Sequence, residues 1–209
     1  MSSHMLHPPS HHPPSHHRPQ VSICDGIALD YGRTHEVCGP ARRSFALWLA
    51  AAMTGPVLWI SPAWEADQLN PDGMMDFTCP SRFLFLRATR QDDLLWATEE
   101  ALRAGQLPLV VTDLSAPPAL KPVRRLHLAA QNGGRHGPQP LGLLLTPGCG
   151  GAAGIESRWH LAPDHREQHR QWLLQRLRAR TLPPCSWRLR QSAPRAGLEE
   201  VQEPLTVLS

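Results

Sequence analysis

The stretch from Gly32 to Met53, GRTHEVCGPARRSFALWLAAAM, constrains this chain more than any other. It reads as a short strand, a glycine-led turn and an apolar helix, the layout of a phosphate-binding loop whose phosphate-binding parts are missing. A functional loop of that kind needs G-x-x-x-x-G-K-[ST], because backbone N–H groups wrap the β-phosphate, a Lys reaches the γ-phosphate and a hydroxyl holds magnesium. Here the turn offers only Gly39, Pro40, Ala41, Arg42, Arg43 and Ser44. The second glycine and the lysine are absent, the turn is shorter, and Pro40 brings no N–H. The expectation is a scaffold that keeps the shape of an ATPase without its chemistry.

The elements around this stretch place it in an α/β domain. Thr34 to Cys38 reads as a strand into Gly39, and Ser44 to Met53 as a helix covered on all faces, stopped by Thr54-Gly55-Pro56. Buried strands are expected at Val57 to Ile60, Phe83 to Leu86, Leu109 to Val111 closing on Asp113, and Leu141 to Leu145. Between them, Asp92 and Asp93 open a helix that Gly105 ends, and Pro122 begins another that runs to Ala130 before Gly133 and Gly134. Strands separated by single helices argue for parallel pairing through right-handed crossovers. Further on, Trp172, Leu173, Leu174 and Leu177 fit either a helix or a strand, whereas Trp187 and Leu189 alternate with Arg188 and Arg190 in a two-residue period. The preferred reading there is an antiparallel hairpin with Trp159, Trp172 and Trp187 as packing anchors.

With 209 residues, one domain is the default. Residues 1–20 hold little besides His, Pro and Ser and are expected to be a disordered tail. Residues 21–195 form the domain, and 196–209, with Glu199, Glu200 and Glu203, a flexible acidic tail. No apolar run long enough to span a bilayer occurs, and the N-terminus lacks a basic-then-apolar signal, so the expected location is the cytoplasm, without membrane contact. The many prolines and the single Lys beside abundant Arg suggest a GC-rich bacterial source. The 5 cysteines are scattered without a C-x-x-C pair, which disfavours a zinc site or a disulfide framework. His165 and His169 are a metal hint only if they share a helical face, and a third ligand is missing. No metal site is expected.

Two sets of residues are candidates for chemistry. Were a nucleotide bound, Arg43 and Ser44 would stand where Lys and Thr normally do, beside Arg42 and Gly39. Asp113 would organise magnesium at a strand end, and Glu65 would orient water. Each has an ordinary alternative: a planar guanidinium does not replace a compact ammonium freely, Asp113 can be a turn acid, and Glu65 a solvated one. No cofactor is therefore expected, with ATP and magnesium binding weak at most. The second set is cationic, because the net charge of +3 conceals an Arg-rich segment near the C-terminus. Arg158, Arg176, Arg178, Arg180, Arg188 and Arg190 could contact nucleic-acid phosphates, with a tryptophan stacking on bases. An ordinary solvated face, with the tryptophans in the core, accounts for them equally well. The acid pairs Asp92-Asp93 and Glu99-Glu100 read as helix-stabilising charges.

Taken together, Gly32-Arg33, Glu36-Val37-x-Gly39-Pro40 and the apolar helix resemble the opening of the RecA core. Asp92 through Gly105 followed by LPLVVTD, then RRLHLAAQNGG and LGLLLTP, continue the likeness over residues 28–147. Within that superfamily, Trp96 to Leu102 and Arg124 to Ala130 are similar to ImuA-type proteins. The resemblance implies a RecA-like core with a mostly parallel sheet flanked by helices. It also implies a damage-induced accessory role in error-prone translesion DNA synthesis, with an ImuB-like pseudo-polymerase, RecA and an error-prone polymerase as partners, near the nucleoid. The related division inhibitor SulA, which binds FtsZ, is the alternative of the same fold, and a weak nucleotide-binding ATPase is the other. The departure at Gly39 to Ser44 argues against catalysis.

Overall fold

The apolar runs become the centre of a 9-stranded sheet in the computed structural model, which describes residues 18–135, 137–165 and 169–201. The strands are β1 (Gln20–Cys24), β2 (Ile27–Asp30), β3 (Thr34–Cys38), β4 (Val57–Pro62), β5 (Phe83–Ala88), β6 (Leu109–Asp113), β7 (Leu141–Leu145), β8 (Ser157–Pro163), β9 (Arg170–Ala179), β10 (Cys185–Gln191) and β11 (Leu198–Glu200). The helices are α1 (Arg42–Ala52), α2 (Pro71–Met74), α3 (Gln91–Ala104) and α4 (Leu120–Gly133). Along the sheet the order is β11-β10-β9-β8-β3-β7-β6-β4-β5. From β8 to β5 all pairs are parallel; from β8 outward to β11 they are antiparallel. The protein is thus an α/β domain built on a large, mostly parallel mixed sheet flanked by helices, with an antiparallel C-terminal region.

Burial on both faces explains why the central strands are apolar throughout. β6 and β7 are buried at every position, as expected for parallel strands covered by helices on each side. On one face α1 packs Phe45 and Leu49 against Val37, Val111, Leu143 and Leu161. On the other, Leu94, Leu102, Leu126 and Ala130 of α3 and α4 cover Ile60, Val110 and Leu144. Helix α3 ends as its sequence predicts, with Gly105 left-handed at φ 66°. Asp92 and Asp93 occupy its first turn, where they complement the helix dipole.

The expected antiparallel hairpin forms as β9–β10, with Trp159, Trp172 and Trp187 as buried anchors, and β8 and β11 extend it on either side. The structure differs from the sequence reading in three places. Residues 20–30 form a separate two-stranded hairpin, β1–β2, around Asp25-Gly26. Helix α1 begins at Arg42, two positions before the expected Ser44. The expected acidic tail starts inside the sheet: Leu198 packs against the core, and Glu199 of β11 meets Arg190. The expected N-terminal tail lies largely outside the described residues, and Gln20 already belongs to β1. Among the described residues no helix is long and apolar enough to cross a membrane.

Two buried histidines give the fold a pH dependence. His35 is enclosed in β3, with Nδ1 2.7 Å from the Ser157 hydroxyl and Nε2 3.0 Å from the Asp30 carbonyl oxygen. The carbonyl can only accept, so Nε2 carries the hydrogen and Ser157 donates to Nδ1. Burial lowers the His35 pKa from 6.5 to about 4. His127 accepts from the Thr34 N–H, faces the Gly154 carbonyl through Nε2, and is also shifted down by burial. Because the unfolded chain binds the His35 proton more readily, its contribution is complete above about pH 6.5 and is lost as pH falls toward 4. The expected loss is about 1.4 kcal/mol per pH unit from His35 across that window, with His127 adding in the same direction. Urea midpoints at pH 7 and pH 5 measure it. A flat profile would rule it out.

Candidate functional site

The sequence-nominated nucleotide residues do meet at one place, the carboxyl ends of β3, β6 and β4, where open α/β sheets ordinarily bind ligands. Asp113, at the end of β6, is buried. Its carboxylate accepts from Arg43 Nε at 2.9 Å and lies 3.5 Å from Arg42 Nη2. Arg43 Nη2 is 3.9 Å from Glu65, on the loop after β4. The guanidiniums in the first turn of α1 therefore face an internal carboxylate that offsets the positive charge an incoming anion would use.

Four of the turn's amides are engaged within the protein. Gly39 N–H donates to the Gly148 carbonyl at 3.1 Å, Ala41 N–H to Leu161 at 3.1 Å, Arg42 N–H to Gly39 at 3.3 Å, and Ser44 N–H to Ala41 at 2.9 Å. Pro40 has none to give. A phosphate cradle depends on successive N–H groups pointing into one concavity; here those of Gly39 and Ala41 bond other segments and those of Arg42 and Ser44 fold back onto the turn itself. The cavity beside Arg43, lined by Trp59, Ser61, Leu69, Phe85 and Arg87, holds about 270 Å³. That falls short of the roughly 300–1,000 Å³ of ordinary small-molecule sites. As placed, Arg42 and Arg43 are turned onto Asp113, which neutralises the charge a phosphate would meet.

Gly39 is required here by geometry. It sits at φ 90°, and a Cβ added to it would lie 2.5 Å from the Leu161 carbonyl oxygen and 2.8 Å from His160 Nε2. Gly39→Ala is expected to cost about 2–4 kcal/mol, combining a left-handed backbone with overpacking. Equilibrium unfolding in urea tests this, and a change below about 0.5 kcal/mol would mean that the turn is free to relax.

The carboxylate of β3, which the sequence reading gave no role, is heavily bonded. Glu36 is fully buried. It accepts from Thr146 Oγ1 at 2.7 Å, the Gly151 N–H at 2.8 Å, the Ala152 N–H at 3.1 Å and Arg158 Nε at 2.5 Å. Arg158 in turn reaches the Ala152 carbonyl at 3.0 Å. Glu36 thus pins the 146–152 loop over the end of β3. Its partners lie more than a hundred residues away in sequence, so only a motif that singles out Glu36 could have marked it.

The candidate nucleic-acid arginines do not converge on one open patch. Arg158 belongs to Glu36. Arg176 is buried, its guanidinium 5.6 Å from the Trp159 ring and 5.0 Å from the Trp187 ring, and its Nε donates to the Pro183 carbonyl. Arg180 pairs with Glu156 at 3.3 Å, Arg188 with Asp164 at 2.9 Å and Arg190 with Glu199 at 2.9 Å. Arg178 is exposed on β9. The three tryptophans nominated for base stacking are in the core. Glu99 pairs with Arg103 and with Arg125 across to α4, and Glu100 with Arg103, which accounts for that acid pair.

His165, which has no regular secondary structure, packs edge-on against Trp172, and His169 stands in an extended bridge, so neither is placed on a helix. Among the described residues no group of three or more His, Cys, Asp and Glu side chains is placed to hold a metal ion. Another cavity, about 720 Å³ and lined by Tyr31, Met53, Pro108 and Gln139, opens at the amino ends of the strands, away from the arginine–aspartate cluster. It is larger, but its lining carries no carboxylate or free base. Neither a model of a known protein family nor a curated protein matches the sequence.

Proposed function

We propose that this chain is a RecA-like scaffold that no longer hydrolyses ATP and acts in damage-induced, error-prone translesion synthesis through protein contacts. The observation that carries it is the Arg42–Arg43–Asp113 cluster behind a turn most of whose amides are already bonded. A site of that kind keeps the architecture of a nucleotide switch and supplies its own counter-charge. The order of family-like segments, from Gly32 through the β6 strand ending in Asp113 to β7, supports the RecA-like part. The ImuA-like segments support the repair role, with an ImuB-like pseudo-polymerase, RecA and an error-prone polymerase as partners. Five of the six nominated arginines are engaged within the protein, which favours protein over direct DNA contact as the main interaction.

The test is a two-way retention assay with the ImuB-like protein and RecA of the source organism on the immobilised chain, with ATP turnover measured in parallel. Retention of either partner without turnover is expected. Binding of neither, together with unchanged damage-induced mutagenesis in a deletion strain, would overturn the proposal. Retention of FtsZ with filamentation on overexpression would assign the chain to the SulA-like role instead.

A further inference from the structure

The loop that Glu36 pins also carries a thiol across the end of β3. Gly148 accepts the Gly39 N–H, and Gly150 packs so closely on Glu36 that a Cβ there would lie 2.8 Å from Oε1. Cys149 stands between those two loop residues, and Cys38 stands between Glu36 and Gly39 on the strand. Side chains alternate along a strand, so Cys38 points to the same side of the sheet as Glu36, the side on which residues 150–152 lie. Both thiols are free; Cys149 is exposed and Cys38 buried. The Cys38 thiol donates to the Trp159 carbonyl at 3.3 Å, a bond that gives way when its sulfur turns to Cys149, and burial, with Glu36 behind it, raises its pKa to about 12. His160 pairs in register with Cys38 across β3 and β8, its ring against Gly39, and its Nδ1 has no partner.

We propose that Cys149 and Cys38 form an intramolecular disulfide under peroxide, making the 148–151 loop a covalent oxidation site. Cys149 is the entry point, because the accessible thiol is the one an oxidant reaches. Hydrogen peroxide converts its thiol to a sulfenic acid and is itself reduced to water. The Cys38 sulfur then attacks the Cys149 sulfur, the S–O bond breaks, and the hydroxyl leaves as water with the proton of the Cys38 thiol. The loop can adjust because Gly148, Gly150 and Gly151 all have positive φ, at 59°, 73° and 154°. The closed bridge ties this loop to the turn after β3.

The experiment treats the full-length protein at low concentration with hydrogen peroxide, blocks free thiols by alkylation in denaturant, and maps tryptic peptides without reduction. The expected product is a peptide pair joining Cys38 to Cys149, two hydrogens lighter than the separate thiols and released by a reductant. Cys149→Ser should leave Cys38 fully alkylatable. Cys38→Ser should accumulate a dimedone-reactive sulfenic acid at Cys149. If the wild-type protein instead carries Cys149 to the sulfinic acid while Cys38 stays alkylatable, or links Cys149 to Cys79 or Cys185, the proposal fails. The wild-type result decides the matter even if the Cys38 variant does not fold.

Discussion

Glu36→Ala is expected to lower stability by about 3–5 kcal/mol, the range for removing one partner of a buried ion pair. At about 2–4 °C per kcal/mol for a domain of this size, the melting temperature should fall by roughly 6–20 °C. The physical reason is the number of groups left without a partner: the Thr146 hydroxyl, the Gly151 and Ala152 amides and the Arg158 guanidinium, all converging on one fully buried carboxylate. Each buried donor then retains its desolvation cost without a bond to offset it. Arg158→Ala should cost less, because Glu36 keeps its hydroxyl and amide donors and the guanidinium is partly exposed. Thermal unfolding followed by circular dichroism separates the two variants. Equal losses would mean that the ion pair, and not the loop, is what Glu36 holds.

The sequence revealed the parallel half of the fold because burial on two faces leaves little choice of residue. Val110-Val111 and Leu143-Leu144-Leu145 can face helices on both sides only as apolar runs, and their lengths and flanking glycines mark them as strands. The antiparallel half was harder to read. Its strands alternate Trp and Leu with Arg and Gln, and the stretch from Trp172 to Leu177 fits helical spacing equally well until its partners on β8 and β10 are known. The β1–β2 hairpin carried a usable signal, Asp25-Gly26 between alternating residues, the kind of two-residue turn that favours tight hairpins. Of the site, residue types were legible and pairings were not. A count of nine arginines between residues 155 and 195 cannot say that Arg158 serves Glu36 or that Arg176 lies between two tryptophan rings. Electrostatic partners set by tertiary contact leave no periodic trace.

Asp113→Asn should turn the arginine cluster into an anion site that the wild-type protein lacks. The substitution keeps the volume and leaves an oxygen to accept from Arg43, but removes the charge that lies 2.9 Å from Arg43 and 3.5 Å from Arg42. Glu65, at 3.9 Å and partly solvated, is then the remaining carboxylate, and it offsets less than one guanidinium. Charge-assisted bonds contribute about 1.5–3 kcal/mol each, so pyrophosphate binding should strengthen by roughly ten- to a hundredfold over wild type. The effect should weaken as salt screens it. Arg43→Ala perturbs the same cluster in the opposite sense: Asp113 stays buried without its nearest donor, and the expected result is a stability loss of about 2–4 kcal/mol with no gain in anion binding. Titration calorimetry with pyrophosphate across the three proteins resolves the pattern. Equal binding by wild type and Asp113→Asn would show that the carboxylate does not block the site. Tight magnesium-ATP binding by the wild-type protein would go further, because the turn after β3 could then no longer be described as unable to hold a triphosphate.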